Sequence, residues 1–337
     1  MTNCRGLRLR SITVAAMLLV GLVAGCGGEQ QIDRVSRTPY LGLPAGIDHL
    51  VTLEVGRMFE RDFFRQMLRN LEEDPEQAEQ LRQMREDLGL DPFKDIQTVS
   101  MGVRGNFSQA GENQFANTVW IVRGNFASPE PMLDKLHTFL DREILIAPPP
   151  FSRSTHGETG YPTFSLRARG QYREDIEFHL NFGFPNEQLM VFSFNQGLLA
   201  ESLDVIAGVT PGVGADEGWR EMLRRPQLGT LLWGTGNFNA SSEMLQAMGG
   251  ASGLPAVRQY FFNFTMGTRV DARLGLVCDT IERATSMARD MQQSLQQMRP
   301  MLAFMLGGQM PETVKMLERI AVLPKGDVVE VSLSLNE

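Results

Sequence analysis

"TVSMGVRGNF" at Thr98–Phe107 and "NTVWIVRGNF" at Asn117–Phe126 decide how this chain is read. Each is an apolar run that closes on the same five letters, and the last three return in "GTLLWGTGNF" at Gly229–Phe238. Runs rich in Val, Ile and aromatic residues and bounded by Gly and Asn read as strands. The first two, joined by the polar residues 108–117, read as an antiparallel hairpin with a long connection. Gly and Asn tolerate positive φ, so the Gly-Asn-Phe triplet reads as a strand exit. Phe126 and Phe238 are then expected to pack back on the sheet at equivalent, buried positions. "GTGNFN" also follows a strand and precedes a helix, as a dinucleotide turn does. Asn239, however, stands where the third glycine of that turn allows close helix–strand packing.

Outward from these runs, strands and helices alternate irregularly. Phe59, Phe63, Met67 and Leu71 recur every four residues and mark one face of a helix. Asp74-Pro75 offers an N-cap and a first-turn proline, and Gly89 a stop. Ser128-Pro129 starts a further helix carrying Met132, Leu136 and Phe139. "APPPFSRSTHGETG" reads as loop, "TFSLRA", "IEFHLNFGF" and "QLMVFSF" as strands, and "NQGLLAESLDVIAG" as a helix ending at Gly208. "VTPGVGADEG" reads as a flexible joint.

Beyond the joint the order repeats: strand, helix, two strands, long helix. The long helix is expected from Asp279, with Glu282 completing a capping box and Pro300 kinking it. Its apolar positions form one seam, rich in Met287, Met291, Met298, Met301 and Met305. The seam reads first as a face that covers a sheet. Because Met repacks easily, it also offers an adaptable apolar groove. The fold class expected is α+β: two related lobes of antiparallel sheet with helices packed on one face. The divisions are 40–208 for lobe 1, 209–218 for a linker and 219–337 for lobe 2.

The first residues carry an address. Arg5, Arg8 and Arg10 precede the uncharged apolar run Ile12–Val23, which is short for a membrane span and has the length of a signal-peptide core. It ends in "VAGC" at Val23–Cys26, which resembles the lipobox of bacterial lipoproteins. The resemblance implies cleavage of residues 1–25, diacylglycerol and usually a further acyl chain on Cys26, and a tether over 26–39. Two or three acyl chains, at about 0.8 kcal/mol per buried methylene, hold a protein stably where one is marginal. Gly27 stands where Asp often marks inner-membrane retention, so the resemblance favours the outer membrane with the domain in the periplasm. "GLDPFKDIQTVSMGV", "VWIVRGNF" and "NQGLLAESLDVIAG" look like segments of uncharacterised envelope lipoproteins of myxobacteria and related high-GC bacteria, and the heavy use of Arg over Lys fits such a genome.

Charge narrows the partners. Losing the signal's three arginines leaves the mature chain three charges more negative than the −8 of the full sequence. With no basic stripe, nucleic acid is not an expected partner. Cys4 leaves with the signal and Cys26 is used by lipid, so Cys278 has no disulfide partner in the chain. It lies in the strand-like "ARLGLVCD" and reads as an inert buried thiol.

Signs of chemistry are few. The sequence has no phosphate loop, zinc-helix motif, Cys-x-x-Cys or nucleophile elbow. Among His49, His137, His156 and His179, only His156 has a nearby carboxylate in a loop, at Glu158, and two ligands do not make a metal site. Glu72/Glu73 and Asp216/Glu217 lie in polar stretches and read as solvated surface. The expectation is a non-enzymatic, membrane-anchored envelope module without cofactor or metal, binding an envelope protein or lipid. The alternative is a carrier or sensor of an apolar ligand in the Met-rich groove, and an unrecognised hydrolase is weaker still.

Overall fold

The protein is described by a computed structural model covering residues 30–105, 117–126, 128–143, 145–146, 148–170, 177–238, 257–267, 269–306 and 319–336. The first described element is helix α1 over residues 30–37, followed by a 3-10 turn, Pro39–Gly42. Strand β1 (His49–Leu53) follows, then helices α2 (Val55–Phe59), α3 (Asp62–Glu73) and α4 (Pro75–Leu88). The hairpin comes next as β2 (Ile96–Val103) and β3 (Thr118–Gly124), and then α5 (Pro129–Glu143). Strands β4 (Leu145–Ile146), β5 (Ser152–His156), β6 (Tyr161–Gly170), β7 (Glu177–Asn186) and β8 (Leu189–Ser193) precede α6 (Gln196–Ile206) and α7 (Glu217–Met222). The rest is β9 (Leu232–Asn237), β10 (Val257–Met266), β11 (Arg269–Cys278), α8 (Ile281–Leu306), β12 (Ala321–Lys325) and β13 (Val328–Asn336).

The thirteen strands among the described residues belong to one antiparallel sheet, ordered β12-β13-β11-β10-β9-β1-β2-β3-β8-β7-β6-β4, with β5 also pairing β6. This corrects the expected two lobes. The α+β mixture holds, but β1 pairs β2 on one side and β9 on the other, which fuses both halves into a single sheet. The expectation failed because a repeated element order does not say whether two sheets share an edge. Strand pairing is a non-local choice, and β1 leaves neither neighbouring edge open.

Helices also lie on both faces, not one. On the first face α1, α6 and α7 bury Val35, Leu203, Ile206 and Trp219 against Leu50, Val119, Ile121, Leu189, Val191 and Trp233. On the second, Met132, Leu133 and Leu140 of α5 meet Val122, Leu180 and Phe182, while Ala284, Met287 and Ala288 of α8 meet Leu276, Val322 and Val329. Strands buried on both faces carry continuous apolar runs, such as "TVWIV", rather than strict alternation.

Local chemistry fixes the helix ends. The Asp74 carboxylate accepts from the N–H groups of Glu76 and Gln77, with Pro75 in the first turn and Gly89 closing α4 at φ 69°. Asn195 and Asp216 cap α6 and α7 in the same way. The cap of α8 is Thr280, whose hydroxyl accepts from Arg283 N–H, one residue past the expected Asp279. Residues 209–218, expected as a flexible joint, are strapped to the segment before β1. Val213 is fully buried and donates its N–H to the Leu43 carbonyl, and Pro44 bridges Gly212. The expected loop after α5 contains β5, whose "SRSTH" is polar throughout because it is a solvated edge strand.

The strand exits match in their hydrogen bonds but not in burial, since Phe126 is buried and Phe238, expected buried as well, is half-buried. Asn125 donates its N–H to the Asp95 carbonyl and Phe126 to that of Glu187. In the same pattern Asn237 donates to Asp48 and Phe238 to Arg258. Each triplet thus bonds to both neighbouring strands as it leaves the sheet. The reason for glycine differs from the expectation, since neither Gly124 nor Gly236 has positive φ. A Cβ at Gly124 would meet the Asp95 carbonyl oxygen at 2.4 Å, and one at Gly236 that of Asp48 at 2.8 Å. Close approach of backbones, not handedness, selects glycine here. At the first copy Gly105 does adopt φ 84°, while Asn106 and Phe107 lie outside the described residues.

Candidate functional site

The register of the sheet lines up apolar side chains from strand to strand. Phe182 pairs Phe192, Phe192 pairs Trp120, Trp120 pairs Met101 and Met101 pairs Val51. Val51 pairs Gly234, Gly234 pairs Phe262, Phe262 pairs Leu274 and Leu274 pairs Val331. Directly opposed residues point to the same side, so these form one row across the second face. The row's ends are covered by α5 and α8. Its middle, Trp120, Met101, Val51 and Phe262, is only half-buried and belongs to neither buried cluster, as are the neighbouring Leu53, Leu232 and Phe264. On this side α5 packs on β3, β6 and β7, and α8 packs on β11 to β13 and on the Val257 end of β10.

Two aromatic groups frame the band. On one side Trp120 stacks on Phe192 at 5.1 Å and meets Phe194 edge-on at 5.8 Å. On the other, Tyr260 lies parallel to Phe262 at 6.4 Å and meets Phe238 edge-on at 5.7 Å. Between them β9 presents two glycines. A Cβ at Gly234 would stand 2.6 Å from the Phe262 ring, so that ring lies flat on the strand. The result is a shallow surface of apolar carbon with ring faces at both margins.

One polar pair borders it. His49 Nδ1 lies 3.2 Å from the Tyr260 hydroxyl and the rings stack at 5.8 Å. Burial pushes the His49 imidazole below its usual pKa, against the opposing pull of Asp48 and the Gly105 backbone, so it is neutral at physiological pH. Burial pushes the Tyr260 phenol up, so it stays protonated. The pair offers uncharged hydrogen-bonding groups beside an apolar surface, an arrangement suited to holding an amphiphile.

No family model matches the chain, and no curated protein matches it. Among solved structures it is similar to TP0453, a Treponema lipoprotein. Crystal form III of that protein aligns over 88% of this chain and 93% of that one, at 9% identity and a TM-score of 0.48. Crystal form I aligns over 88% and 92%, at 8% identity and 0.43.

The residues singled out from sequence are scattered. Met287 is buried in the core under α8, Met291 is packed beside it, and Met298 is 45% exposed. The side chains of Met301 and Met305 lie outside the described residues, as does Cys26. The near end of the methionine seam is therefore sheet-covering core. Cys278 is fully buried, and burial together with Asp279 and Asp327 pushes its thiol pKa up. His156 Nε2 lies 2.7 Å from Asp204 Oδ1 and ties β5 to α6, while Glu158 is exposed. His137 Nε2 meets the Pro148 carbonyl at 2.9 Å, and exposed His179 lies 3.6 Å from Glu177. Glu72 pairs with Arg85, Glu73 and Glu217 are exposed, and Asp216 caps α7. Among the described residues no three His, Cys, Asp or Glu side chains converge as metal ligands.

Sequence reading missed the band because each contribution looks like ordinary core. "SMGV", "VWIV", "WGTG" and "YFFNF" name no surface by themselves. The available signal was Gly234 and Gly236 alternating with Trp233 and Thr235. Small residues at every second position of a central strand mean that something large lies flat on that face.

Proposed function

We propose that the chain is a membrane-anchored envelope lipoprotein, held by acyl chains on Cys26, whose folded part is a non-enzymatic binding module. The supporting observation is the partly buried apolar band centred on Val51, Met101, Trp120 and Phe262. Contiguous apolar surface of this kind marks binding to a protein, a membrane or an apolar ligand. The lipobox resemblance at Val23–Cys26 supports the anchor. Gly27 after the cysteine supports the outer membrane and a periplasmic domain. The described helices include none long and apolar enough to cross a membrane.

A second reading is favoured by the His49–Tyr260 pair at the edge of the band. In it the module carries or senses an amphiphile, such as a lipid, whose tail lies across β1, β9 and β10 and whose polar group meets His49 and Tyr260. This places the ligand away from the methionine seam, where Met287 is already committed to the core.

Three experiments test these readings. Cys26→Ser is expected to abolish incorporation of labelled palmitate and to leave unprocessed precursor; normal labelling refutes the anchor. Native mass spectrometry of protein extracted from its own membrane is expected to show bound amphiphile. Delipidated protein that neither retains nor rebinds lipid rejects the carrier reading. Co-purification of one envelope protein, lost on Met101→Glu, would then identify the band as a protein interface.

A further inference from the structure

α3 carries more apolar surface than the fold covers. Phe64, Leu68 and Leu71 are half-buried, with Phe64 edge-on to Phe59 at 6.1 Å and Phe59 edge-on to Phe93 at 4.8 Å. Phe63 is 55% exposed and Met67 38%, and no residue of α3 is fully buried. At about 100° per residue, Phe63 and Met67 adjoin on one side and Arg65 lies opposite both.

The position of α3 identifies what meets this stripe. The C-terminal end of β1, at Leu53, pairs with Val99 and Leu232 and leads directly into α2 and α3. The same end of the sheet holds the start of β2 and the turn between β7 and β8, since Asn125 bonds to Asp95 and Phe126 to Glu187. Ser36, in the last turn of α1, accepts a hydrogen bond from Asn186 of that turn at 3.1 Å. The path back to the anchor is short. Helix over residues 30–37 spans about 12 Å at 1.5 Å per residue. The four steps from Cys26 to residue 30 reach at most about 14 Å. An acylated Cys26 therefore holds the end of α1, and the Asn186 turn bonded to it, within about 26 Å of the bilayer surface, at the end of the sheet from which α2 and α3 leave.

We propose that α3 is a second membrane-contact element, with Phe63 and Met67 seated in the lipid interface beside the Cys26 anchor. The proposal rests on the lipoprotein reading. An amphipathic helix lying in the interface is the kind of second signal that supplements acyl chains. Arg61, Arg65 and Arg69 are balanced by Asp62, Glu72 and Glu73. The contact is therefore apolar rather than electrostatic, and neither salt nor anionic lipid governs it.

The test uses the full lipidated protein in vesicles of phosphatidylethanolamine and phosphatidylglycerol, its acylation verified by mass. Nitroxide labels are placed singly through Phe63→Cys, Met67→Cys and Arg65→Cys, with the buried Cys278 left untouched. Labels at 63 and 67 are expected to lose access to a water-soluble paramagnetic relaxant while remaining open to oxygen, and the label at 65 to stay water-accessible. The pattern should persist in 0.5 M salt, where the Debye length falls to about 4 Å, because an apolar contact is not screened. Equal water access at all three positions in acylated protein overturns the proposal. So does shielding at 63 from both relaxants, which marks a protein contact. A mass without acyl groups overturns the lipoprotein reading, and the proposal falls with it.

Discussion

The Phe262 ring lies flat on Gly234, where a Cβ would stand 2.6 Å from two ring carbons and 2.7 Å from the Leu50 carbonyl oxygen. This contact shapes the middle of the apolar band. Gly234→Ala is expected to lift the ring and strain the β1–β9 pairing. Overpacking of this kind costs about 1–3 kcal/mol. Urea denaturation reads the loss as a lower midpoint. The same variant should weaken amphiphile retention more than Gly56→Ala on α2, where an added Cβ would meet nothing closer than 3.7 Å.

The two matched strand exits predict unequal costs. Phe126 is 4% exposed in the cluster around Phe164, Phe182 and Phe184, whereas Phe238 is half-buried beside Tyr260. Phe126→Ala is expected to cost about 3–5 kcal/mol, the range for a deleted core aromatic. Phe238→Ala should cost less than half of that. Equal losses in thermal or chemical denaturation would contradict the difference in packing seen at the two exits.

Much of the fold was legible where local chemistry decides it. The cap at Asp74, the stop at Gly89 and the hairpin of β2 with β3 follow from residues close together in the chain. What local chemistry does not encode is which strand lies beside which. His49–Leu53 looks like any other strand, yet its two neighbours come from opposite halves of the chain and make one sheet of two. Trp219, which follows the expected joint, donates its indole N–H to the Ile47 carbonyl across 172 residues, a bond that no spacing rule anticipates. The candidate site was illegible for the same reason. Met101, Val51 and Phe262 become one surface only through the register.

Trp219 offers a direct measure of how firmly residues 209–218 hold the fold. Its side chain is 4% exposed and its only polar atom is bonded at 3.0 Å. Trp219→Phe keeps most of the apolar contact but leaves the buried Ile47 carbonyl without this donor, a loss of about 1–3 kcal/mol. A single cooperative transition, shifted for both halves together, is the expected result. Separate transitions for the N-terminal and C-terminal halves would show that the shared sheet does not unfold as a unit.

Glu330 gives a pH dependence with a definite sign. Its carboxylate is 8% exposed on β13 and is met by Lys325 Nζ at 2.6 Å and Arg273 Nε at 2.5 Å. Burial alone would raise its pKa, but the hydrogen bond from Lys325 and the charge of Arg273 outweigh it and hold the group below its usual value. The folded state therefore binds the proton less readily than the unfolded chain. The stabilisation is complete above the ordinary glutamate pKa of about 4.3 and disappears as pH falls through the lower folded value. Glu330→Gln is expected to cost about 1–3 kcal/mol at neutral pH, the range for a hydrogen bond to a charged group. Because Arg273 and Lys325 are themselves about half-exposed, they can turn to water and limit the loss. Stability curves of the two proteins should converge as pH drops below 4. A constant gap down to pH 2 would show that the pair with Arg273 and Lys325 does not lower the carboxyl pKa.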